Sequence, residues 1–433
     1  MGGISTLSAP KYWHNLPTLA SQNNSRILNQ FNDKFSSIQF NPTLKSSGKE
    51  NPFSCFALDA SRESIPPLVV VGSANADLYV EIDRLPKEGE TISAKTGQIL
   101  AGGKGANQAV CGGKLAYPTY FLGQVGDDAH GKLITEALEG GGVCLDHLSR
   151  LDNVPTGHAV VMLQAGGQNS IIIVGGANMA CWPDTLSEED LEVVKNAGIV
   201  LLQREIPDSV NIQVAKVAKS ALVPVILDAG GVDAPIPIEL FSFVDIFSPN
   251  ESELARLTNM PTETFEQINQ AVGKCHKMGV KQVLVKLGAK GSILFTEGEE
   301  PIRQPVISAP KVIDTTGAGD TFTASFAVAL VEGNSIKECL RFAAAAASLC
   351  VQFVLHINKR PSLKLLLIQD SDLGFLFLQP LLDNDIEVTD SPFSNLVIRP
   401  VTMVDQYLSD GGVPGSWYIK DNQILSGKCP ASL

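Results

Sequence analysis

The chain has 433 residues, of which 44% are hydrophobic and 18% are charged, so it can bury a sizeable core and is too long for a small disulfide-stapled module. Its formal net charge of -13 disfavours a surface that tracks nucleic-acid phosphates, although a local pocket can still bind anions. The eight cysteines form no C-x-x-C pair and have no histidine cluster nearby, which argues against zinc and favours a reducing compartment. No apolar run reaches the length of a membrane span, so we expect no integral membrane segment.

Residues 1–64 differ in composition from the rest of the chain. They are rich in Ser, Asn and Pro, contain more Lys and Arg than Asp and Glu, and show no sustained periodicity. This composition is typical of a transit peptide, and we expect import into a plastid, with a mitochondrion or retention in the cytoplasm as alternatives. A disordered tail without an address is a competing interpretation. The opening M-G-G-I-S-T also fits a myristoylation pattern, but no polybasic second signal follows it.

From residue 66 onward, short apolar runs alternate with segments of helical periodicity. Strands are predicted at 68–72, 119–123, 199–203, 223–228, 244–248, 283–288 and 292–295. Helices are predicted at 105–116, 129–138, 188–197, 209–220 and 265–278. This alternation predicts βαβ units, and therefore a three-layer α/β/α fold with a mainly parallel sheet.

Two segments interrupt the alternation, because they contain strand patterns without helices. They are residues 77–100 and residues 157–174, the second with a turn at Gly166 and Gly167. We predict that they pair as a small separate β-sheet over one edge of the main domain, and we interpret that sheet as a lid.

The stretch V-I-D-T-T-G-A-G-D at 312–320 places two glycines directly before an acid. We predict that residues 312–313 end a strand, that 315–319 turn the chain, and that a helix follows over 321–331. Gly317 and Gly319 allow a tight turn whose N–H groups point outward from the positive end of the helix, which predicts an anion hole. Asp320 beside it is then the candidate general base for a hydroxyl that attacks a phosphoryl group. An ordinary capped helix is the alternative.

A second glycine stretch, A-G-G-K-G-A-N at 101–107, opens the helix predicted after it. Gly102 and Gly103 permit close backbone approach to a ligand, and Lys104 offers charged donors. Asn107 lies one turn further on and is expected to project from the same helix end. The stretch has neither the P-loop form nor a complete G-x-G-x-x-G, so it favours neither a Walker nor a dinucleotide site. A plain turn followed by a helix remains an alternative.

Polar side chains recur at the ends of predicted strands, where open α/β sheets bind ligands. Asn75 and Asp77 follow the first strand and suit sugar hydroxyls. Glu205 follows the strand at 199–203, and Asn250 and Glu253 follow the strand that ends at 248. Each one taken singly fits a helix cap or a solvated loop equally well. Their repetition at equivalent positions favours a ligand site.

The stretch K-L-G-A-K-G at 286–291 lies between two predicted strands. Its turn residues are consistent with a loop that passes under a nucleotide. They fit a plain β-hairpin equally well.

Four stretches in this order, A-G-G-K-G-A-N, S-P-N-E-S-E, K-L-G-A-K-G and D-T-T-G-A-G-D, resemble the ribokinase-like (PfkB) family of carbohydrate kinases. The resemblance covers about residues 68–352, within a kinase domain that we place at 65–352. It implies transfer of phosphate from ATP to D-ribose, giving ADP and D-ribose 5-phosphate, with Mg²⁺ and with activation by K⁺. It also implies a homodimer that pairs through the lid.

The resemblance assigns a role to each matching residue. Asp320 takes the proton from the 5-hydroxyl, and Gly317, Ala318 and Gly319 form the anion hole. Asn250 lines the phosphate side, Glu253 helps to place hydrated Mg²⁺, and Asp314 binds K⁺. The remaining residues hold the sugar (Asn75, Asp77, Gly102, Gly103, Lys104, Asn107 and Glu205) or lie along the nucleotide (Lys286, Gly288 and Gly291).

The resemblance ends soon after a late helix predicted at 335–351. Residues 353–433 lack the G-A-x-x-S-x-P loop of the family, so they are interpreted as a divergent C-terminal tail, with an added functional domain as the competing interpretation. Rival functions are another sugar or nucleoside kinase of the family, or a catalytically impaired isoform that binds sugar or nucleotide. An oxidoreductase is disfavoured by the missing dinucleotide pattern.

Overall fold

The computed structural model describes residues 65–164, 169–231 and 234–352, together with the backbone of two short strand pairs further along the chain. Those pairs join Leu365–Leu366 to Phe377–Leu378, and Trp417–Lys420 to Gln423–Ser426. The predicted transit peptide, the turn at 166–167 and the rest of the C-terminal tail lie outside the described residues, so these interpretations stay predictions. Residues 65–352 fall within one compact unit.

Nine strands form the main sheet of this unit, in the spatial order β13-β12-β11-β10-β9-β8-β1-β4-β5. Neighbouring strands are parallel except at β11–β12 and β12–β13. All seven predicted strands are present, with ends shifted by a few residues. The main-sheet strands are β1 (Leu68–Val71), β4 (Thr119–Gly126), β5 (Leu148–Leu151), β8 (Ile199–Arg204), β9 (Val225–Gly231), β10 (Ile246–Ser248), β11 (Gln282–Lys286), β12 (Ser292–Thr296) and β13 (Ile302–Gln304).

Helices cover both faces of this sheet. Alternate residues of β1 show why, since Leu68 and Val70 belong to one buried cluster while Val69 and Val71 belong to the other. A strand buried on both faces reads as a continuous apolar run, and the three-layer prediction is confirmed. The helices are α1 (Lys104–Lys114), α2 (Ala129–Gly140), α3 (Glu188–Lys195), α4 (Asp208–Ser220), α5 (Ile238–Phe241), α6 (Glu251–Thr258), α7 (Phe265–Lys277), α8 (Ala318–Val331) and α9 (Ile336–Cys350).

A second, four-stranded sheet has the order β3-β2-β6-β7. Its strands are β2 (Asn75–Ile82), β3 (Thr96–Gly102), β6 (His158–Gln164) and β7 (Asn169–Val174). The predicted small sheet is therefore confirmed, while its action as a lid stays a prediction. Strand β2 begins four residues after β1 ends, and β3 leads directly into α1. The chain therefore enters and leaves the β2–β3 pair at the carboxyl edge of the main sheet.

The prediction that residues 312–313 end a strand is wrong. The last strand of the main sheet is β13, and beyond it Pro305 and Pro310 remove two backbone N–H donors that a continued ladder would need. Val312 is 62% exposed, and the Ile313 N–H donates to the carbonyl of Val351 at 2.8 Å. This segment therefore packs against the end of α9 instead of pairing in the sheet.

Candidate active site

The carboxyl ends of five neighbouring strands bring polar side chains to one edge of the sheet. Asn75 follows β1, Glu205 follows β8, Asp228 lies in β9, Asn250 follows β10, and Lys286 ends β11. Open α/β sheets bind ligands at this edge, because loops and helix N-termini converge there.

The residues of the predicted anion hole lie at the N-terminus of α8. Gly317 precedes the helix with φ 71°, a left-handed conformation that glycine adopts at little cost. The Ala318 N–H turns back to the Thr315 carbonyl at 3.3 Å, and the next N–H groups belong to the first helical turn, which has no intrahelical acceptors. A Cβ built on Gly319 would meet only the Lys286 Nζ, at 3.9 Å, so the backbone here is open to a ligand. This geometry suits a phosphate.

Asp320 lies in the first turn of α8 and is only 5% exposed. Its Oδ2 accepts a hydrogen bond from Asn107 Nδ2 at 2.9 Å, and its Oδ1 accepts one from Gln108 Nε2 at 3.4 Å. Lys104 Nζ lies 3.7 Å from Oδ1. The two glycine stretches thus meet at this carboxylate, and its donors fix the orientation that a general base needs.

A buried glutamine pair supports that orientation. Gln203 Nε2 donates to Gln108 Oε1 at 2.7 Å, so the Gln108 amide presents its nitrogen to Asp320. Both glutamines are fully buried. Sequence reasoning missed this pair, because Gln108 stands where a G-x-G-x-x-G pattern has its last glycine, and that pattern gives it no signal of a site residue. The signal that could have found it is a second amide directly after Asn107.

Lys104 Nζ lies between two carboxylates, 3.8 Å from Asp228 Oδ1 and 3.7 Å from Asp320 Oδ1. Burial opposes the charge of this ammonium, yet the carboxylates of Asp228, Asp320, Glu205 and Glu253 outweigh it and raise the pKa of Lys104. Its side chain as a whole is 28% exposed. Lys104 is therefore a permanent cation beside the candidate base.

Asp228 is a fully buried carboxylate that the sequence analysis did not single out. It forms an ion pair with Lys286 Nζ at 2.5 Å, and it accepts hydrogen bonds from Thr323 Oγ1 at 3.2 Å and from the Gly230 N–H at 2.9 Å. Burial alone would raise its pKa, but Lys286 and Lys104 outweigh this and lower the pKa of Asp228 to about 2. One buried carboxylate thus holds the ammonium groups of both Lys104 and Lys286 close to it.

Two further acids lie on the side of the predicted sugar site. Glu205 accepts hydrogen bonds from Ser73 Oγ and from the Lys104 N–H at 3.1 Å, while burial raises its pKa. Burial, together with the charges of Glu205 and Asp320, raises the pKa of Asp77 to about 7. A Cβ on Gly102 would lie 2.0 Å from Asp77 Oδ2, so the close approach of β3 to Asp77 requires glycine there.

Asn250 and Glu253 form a capping box at the start of α6. Asn250 Oδ1 accepts from the Glu253 N–H at 2.8 Å, and Glu253 Oε2 accepts from the Asn250 N–H at 2.8 Å. The second carboxylate oxygen, Oε1, lies 3.0 Å from a Cβ built on Gly230, near Lys104. The capping interpretation is therefore confirmed for this pair, while their phosphate and metal roles stay predictions.

The remaining predicted residues make their contacts within turns. Gly288 and Gly291 have positive φ in a 3-10 turn that joins β11 to β12 as a hairpin, and a Cβ on Gly291 would lie 2.1 Å from the Gln304 carbonyl oxygen. Asp314 Oδ1 accepts from the Thr316 N–H at 2.8 Å. The nucleotide role of the two glycines and the potassium role of Asp314 stay predictions.

Within the described ranges, no group of three or more His, Cys, Asp and Glu side chains is placed to hold a metal ion. Among those same residues, no helix is long and apolar enough to cross a membrane.

The fold, with a buried carboxylate beside an open helix N-terminus at this edge of the sheet, fits a class of enzymes that transfer a phosphoryl group to a small molecule. Residues 66–362 match the model of the pfkB family carbohydrate kinases, so the chain belongs to that family.

Individual relatives agree with this assignment. The chain is 71% identical to the ribokinase of Arabidopsis thaliana over 320 residues. This alignment covers 73% of this chain and 83% of that protein. It is 37% identical over 284 residues to the ribokinase of Bacillus subtilis, over 66% of this chain and 92% of that protein. A solved structure of Arabidopsis thaliana ribokinase complexed with ribose and ATP superposes with a TM-score of 0.67 at 73% identity, over 69% of this chain and 96% of that chain.

Proposed function

We propose that this protein is a ribokinase, which transfers the γ-phosphoryl group of ATP to the 5-hydroxyl of D-ribose. The identity of 71% to a ribokinase and the likeness to a ribokinase solved with ribose and ATP support this substrate pair. The single observation that carries the chemistry is the buried carboxylate of Asp320 in the first turn of α8, directly after the open backbone of Gly319.

In the proposed reaction, Asp320 accepts the proton of the 5-hydroxyl as its oxygen forms a bond to the γ-phosphorus. The bond from that phosphorus to the bridging oxygen breaks, and ADP leaves with the electron pair. The N–H groups of the 317–319 turn and the ammonium groups of Lys104 and Lys286 face the charge that develops on the transferring group. Asn107 and Gln108 keep the base oriented.

The sugar is proposed to lie between the two sheets. Asn75 and Asp77 lie on the same face of β2, since side chains two residues apart in a strand point the same way. Glu205 approaches from the end of β8, and Lys104 and Asn107 approach from the start of α1. Gly102 and Gly103 let the backbone pass close to the ligand. These groups offer both donors and acceptors, which is what sugar hydroxyls require.

The nucleotide is proposed to lie on the side of α6 and of the β11–β12 turn. Asn250 would contact its phosphates, and Lys286, Gly288 and Gly291 would lie along it. Mg²⁺ would neutralise phosphate charge there. Its fit to the chain rests on Glu253 Oε1, the oxygen that the capping box leaves available. Because Mg²⁺ usually keeps waters and binds substrate phosphates with one or two carboxylates, a cage of three protein acids is not required.

K⁺ is proposed to bind at Asp314, which precedes the anion-hole turn. The carboxylate there already orders the turn through the Thr316 N–H. The resemblance gives the family loop that residues 353–433 lack as the source of the remaining cation ligands, so Asp314 supplies only part of a site and we expect K⁺ to raise turnover only slightly.

The decisive experiment measures ADP release with a panel of sugars and nucleosides, each with and without K⁺. The proposal predicts that D-ribose is turned over above fructose, 2-deoxyribose and adenosine, and that K⁺ raises the rate only slightly. Strong activation by K⁺ would show that residues 353–433 supply the missing cation ligands. A higher rate with another acceptor would make the protein a different kinase of the family. Binding of ribose without ADP release would identify a catalytically impaired isoform.

Two further proposals concern assembly and location. We propose a homodimer that pairs through the four-stranded sheet, because Ile171, Ile172 and Ile173 of its edge strand β7 are each more than half exposed. We also propose that residues 1–64 direct the protein to a plastid, on the basis of their composition.

A further inference from the structure

Asn178 is a buried amide outside the residues assigned to the site so far. It ends the 3-10 turn Gly176–Asn178, which follows strand β7, and it is 1% exposed. Its Oδ1 accepts a hydrogen bond from the Ala74 N–H at 2.9 Å. Its Nδ2 donates to the Ala74 carbonyl at 3.1 Å and to Asn75 Oδ1 at 2.7 Å. The side chain therefore pairs with both backbone groups of Ala74 and with the side chain of Asn75.

These bonds determine which way round both amides lie. A backbone N–H can only donate, so the Asn178 atom facing the Ala74 N–H must be its oxygen. The Asn178 nitrogen then faces the Ala74 carbonyl and the Asn75 side chain, and since that nitrogen can only donate, the Asn75 atom facing it must be oxygen. The NH₂ group of Asn75 is consequently the part of that amide left to face a ligand.

Gly157 shows how tightly the pair is enclosed. A Cβ built on Gly157 would lie 2.1 Å from Asn178 Nδ2 and 2.7 Å from Asn75 Oδ1. The Gly157 carbonyl also accepts from the Ala76 N–H at 2.9 Å. Gly157 precedes β6 and Asn178 follows β7, so both ends of the β6–β7 pair close on Asn75. The amide pair is therefore closely packed against the backbone at Gly157.

We propose that Asn178 is a positioning residue for the sugar, which holds the Asn75 amide with its NH₂ group toward the ligand. Asp77, on the same face of β2, then supplies an acceptor beside a fixed donor. A hydroxyl group accepts one hydrogen bond and donates another, so this fixed pair recognises hydroxyl-bearing ligands. The proposal rests on the function proposed above, because it gives Asn75 a sugar to contact.

The test is a double-mutant cycle with Asn178→Ala and Asn75→Ala, read as the KM for ribose, the KM for ATP and kcat. Loss of one neutral hydrogen bond should raise the ribose KM roughly three- to tenfold in Asn178→Ala, with the ATP KM changed by less than about twofold. In the Asn75→Ala background, the same substitution should change the ribose KM by less than about twofold, because Asn178 acts through Asn75. Equal effects of Asn178→Ala in both backgrounds would overturn the proposal.

A second variant, Asn178→Asp, tests the direction of the amide. The carboxylate still accepts from the Ala74 N–H but has no N–H for Asn75, so the Asn75 amide should turn its NH₂ group toward it and present oxygen to the sugar. We expect a larger rise in the ribose KM than for Asn178→Ala. A ribose KM equal to that of the wild type would contradict the proposal.

The control is Asn334→Ala, since Asn334 also donates its amide to a backbone carbonyl, that of Ala329 at 2.9 Å, but lies at the far end of α8. It should leave the ribose KM unchanged. If the Asn178 variants do not fold, a neutron structure of the wild-type protein with ribose tests the proposal directly. The proposal requires deuterons on the Asn75 atom that faces the sugar, and their absence there would overturn it. Wild-type protein that releases no ADP with ribose would refute the proposed function instead.

Discussion

At the residue scale, the proposed chemistry depends on Asp320, whose two oxygens accept hydrogen bonds from Asn107 and Gln108. We expect Asp320→Asn to lower kcat by roughly 10²–10⁴-fold, because the amide keeps the shape of the side chain but cannot accept the proton. Ribose binding, measured by calorimetry, should stay within a few-fold of the wild type. A variant that kept more than about a tenth of the rate would remove Asp320 from the role of base.

Asp77 predicts a pH dependence of ribose binding. Its pKa of about 7 in the empty site means that the carboxyl is largely protonated at pH 6 and largely ionised at pH 8. Sugar hydroxyls that donate to it favour the ionised form, so ribose affinity should fall as the pH drops below about 7, approaching tenfold per pH unit. Calorimetry at pH 6, 7 and 8 measures this, and Asp77→Asn should flatten the profile.

The raised pKa of Asp77 also makes the free energy of unfolding depend on pH. The pKa of Asp77 is raised from its ordinary value of 3.8, so the free energy of unfolding falls as the pH rises through that value toward about 7. Bound ribose should offset this loss. An affinity for ribose that is constant from pH 6 to pH 8 would show that no donor reaches Asp77.

Asp228 predicts an effect on stability. Removing its charge in Asp228→Asn leaves Lys286 partly buried without its carboxylate, and we expect the free energy of unfolding to fall by about 3 kcal/mol. Because the pKa of Asp228 is lowered to about 2, its contribution is complete above pH 3.8 and is lost as the pH falls through about 2. Urea unfolding at pH 7 measures the difference.

The matched control for Asp228→Asn is Glu251→Gln, which removes the exposed ion pair with Lys290 at 2.9 Å. That change should cost less than about 1 kcal/mol. Comparable losses in the two variants would mean that the buried network holds the fold no better than a surface pair.

At the scale of elements, the four-stranded sheet carries the assembly prediction. Ile172 in β7 is 56% exposed, and substitution by Asp would place a charge on the face that we propose to be shared between two copies. We expect Ile172→Asp to convert a dimer into a monomer in light scattering, whereas Leu222→Asp should leave the dimer intact, because Leu222 is equally exposed (55%) but lies beyond α4. A monomeric wild-type protein would contradict the proposal.

The elements themselves were largely predictable, and the reason is local. Strand β1 and the first four residues of β8 are continuous apolar runs, and α7 begins at a capping box that the sequence carries in Thr264 and Gln267. The strand prediction at residues 312–313 was wrong, because a two-residue apolar run has no periodicity. Whether it pairs in the sheet depends on the prolines that precede it. Short-range pattern determines an element, but pairing depends on partners far away in the chain.

The site was less predictable than the elements. Polar residues at strand ends were recognised for Asn75, Glu205 and Asn250, and the same rule applied to V-I-L-D would have selected Asp228. Asn178 and Gln203 carry no comparable signal, because a buried amide is distinguished from a solvated one only by what surrounds it. Contacts across a hundred residues, such as Asn178 with Asn75, are invisible to a local pattern.

At the scale of the whole molecule, the family match begins at residue 66, two residues before strand β1. We expect that deleting residues 1–64 leaves ADP release and the thermal unfolding midpoint unchanged. The same residues fused to a fluorescent reporter should carry it into plastids. A reporter that remained cytosolic would refute the address, and one found in mitochondria would replace the plastid by the alternative organelle.

The central strand β1 also has a consequence for how the chain is synthesised. Its two neighbours, β4 and β8, begin at Thr119 and Ile199, so β1 leaves the ribosome long before either edge can be paired. Parallel pairing over such separations is slow and exposes apolar strands to aggregation. A nascent chain stalled near residue 160 should therefore bind chaperones through Leu68–Val71, and one stalled past residue 260 should release them.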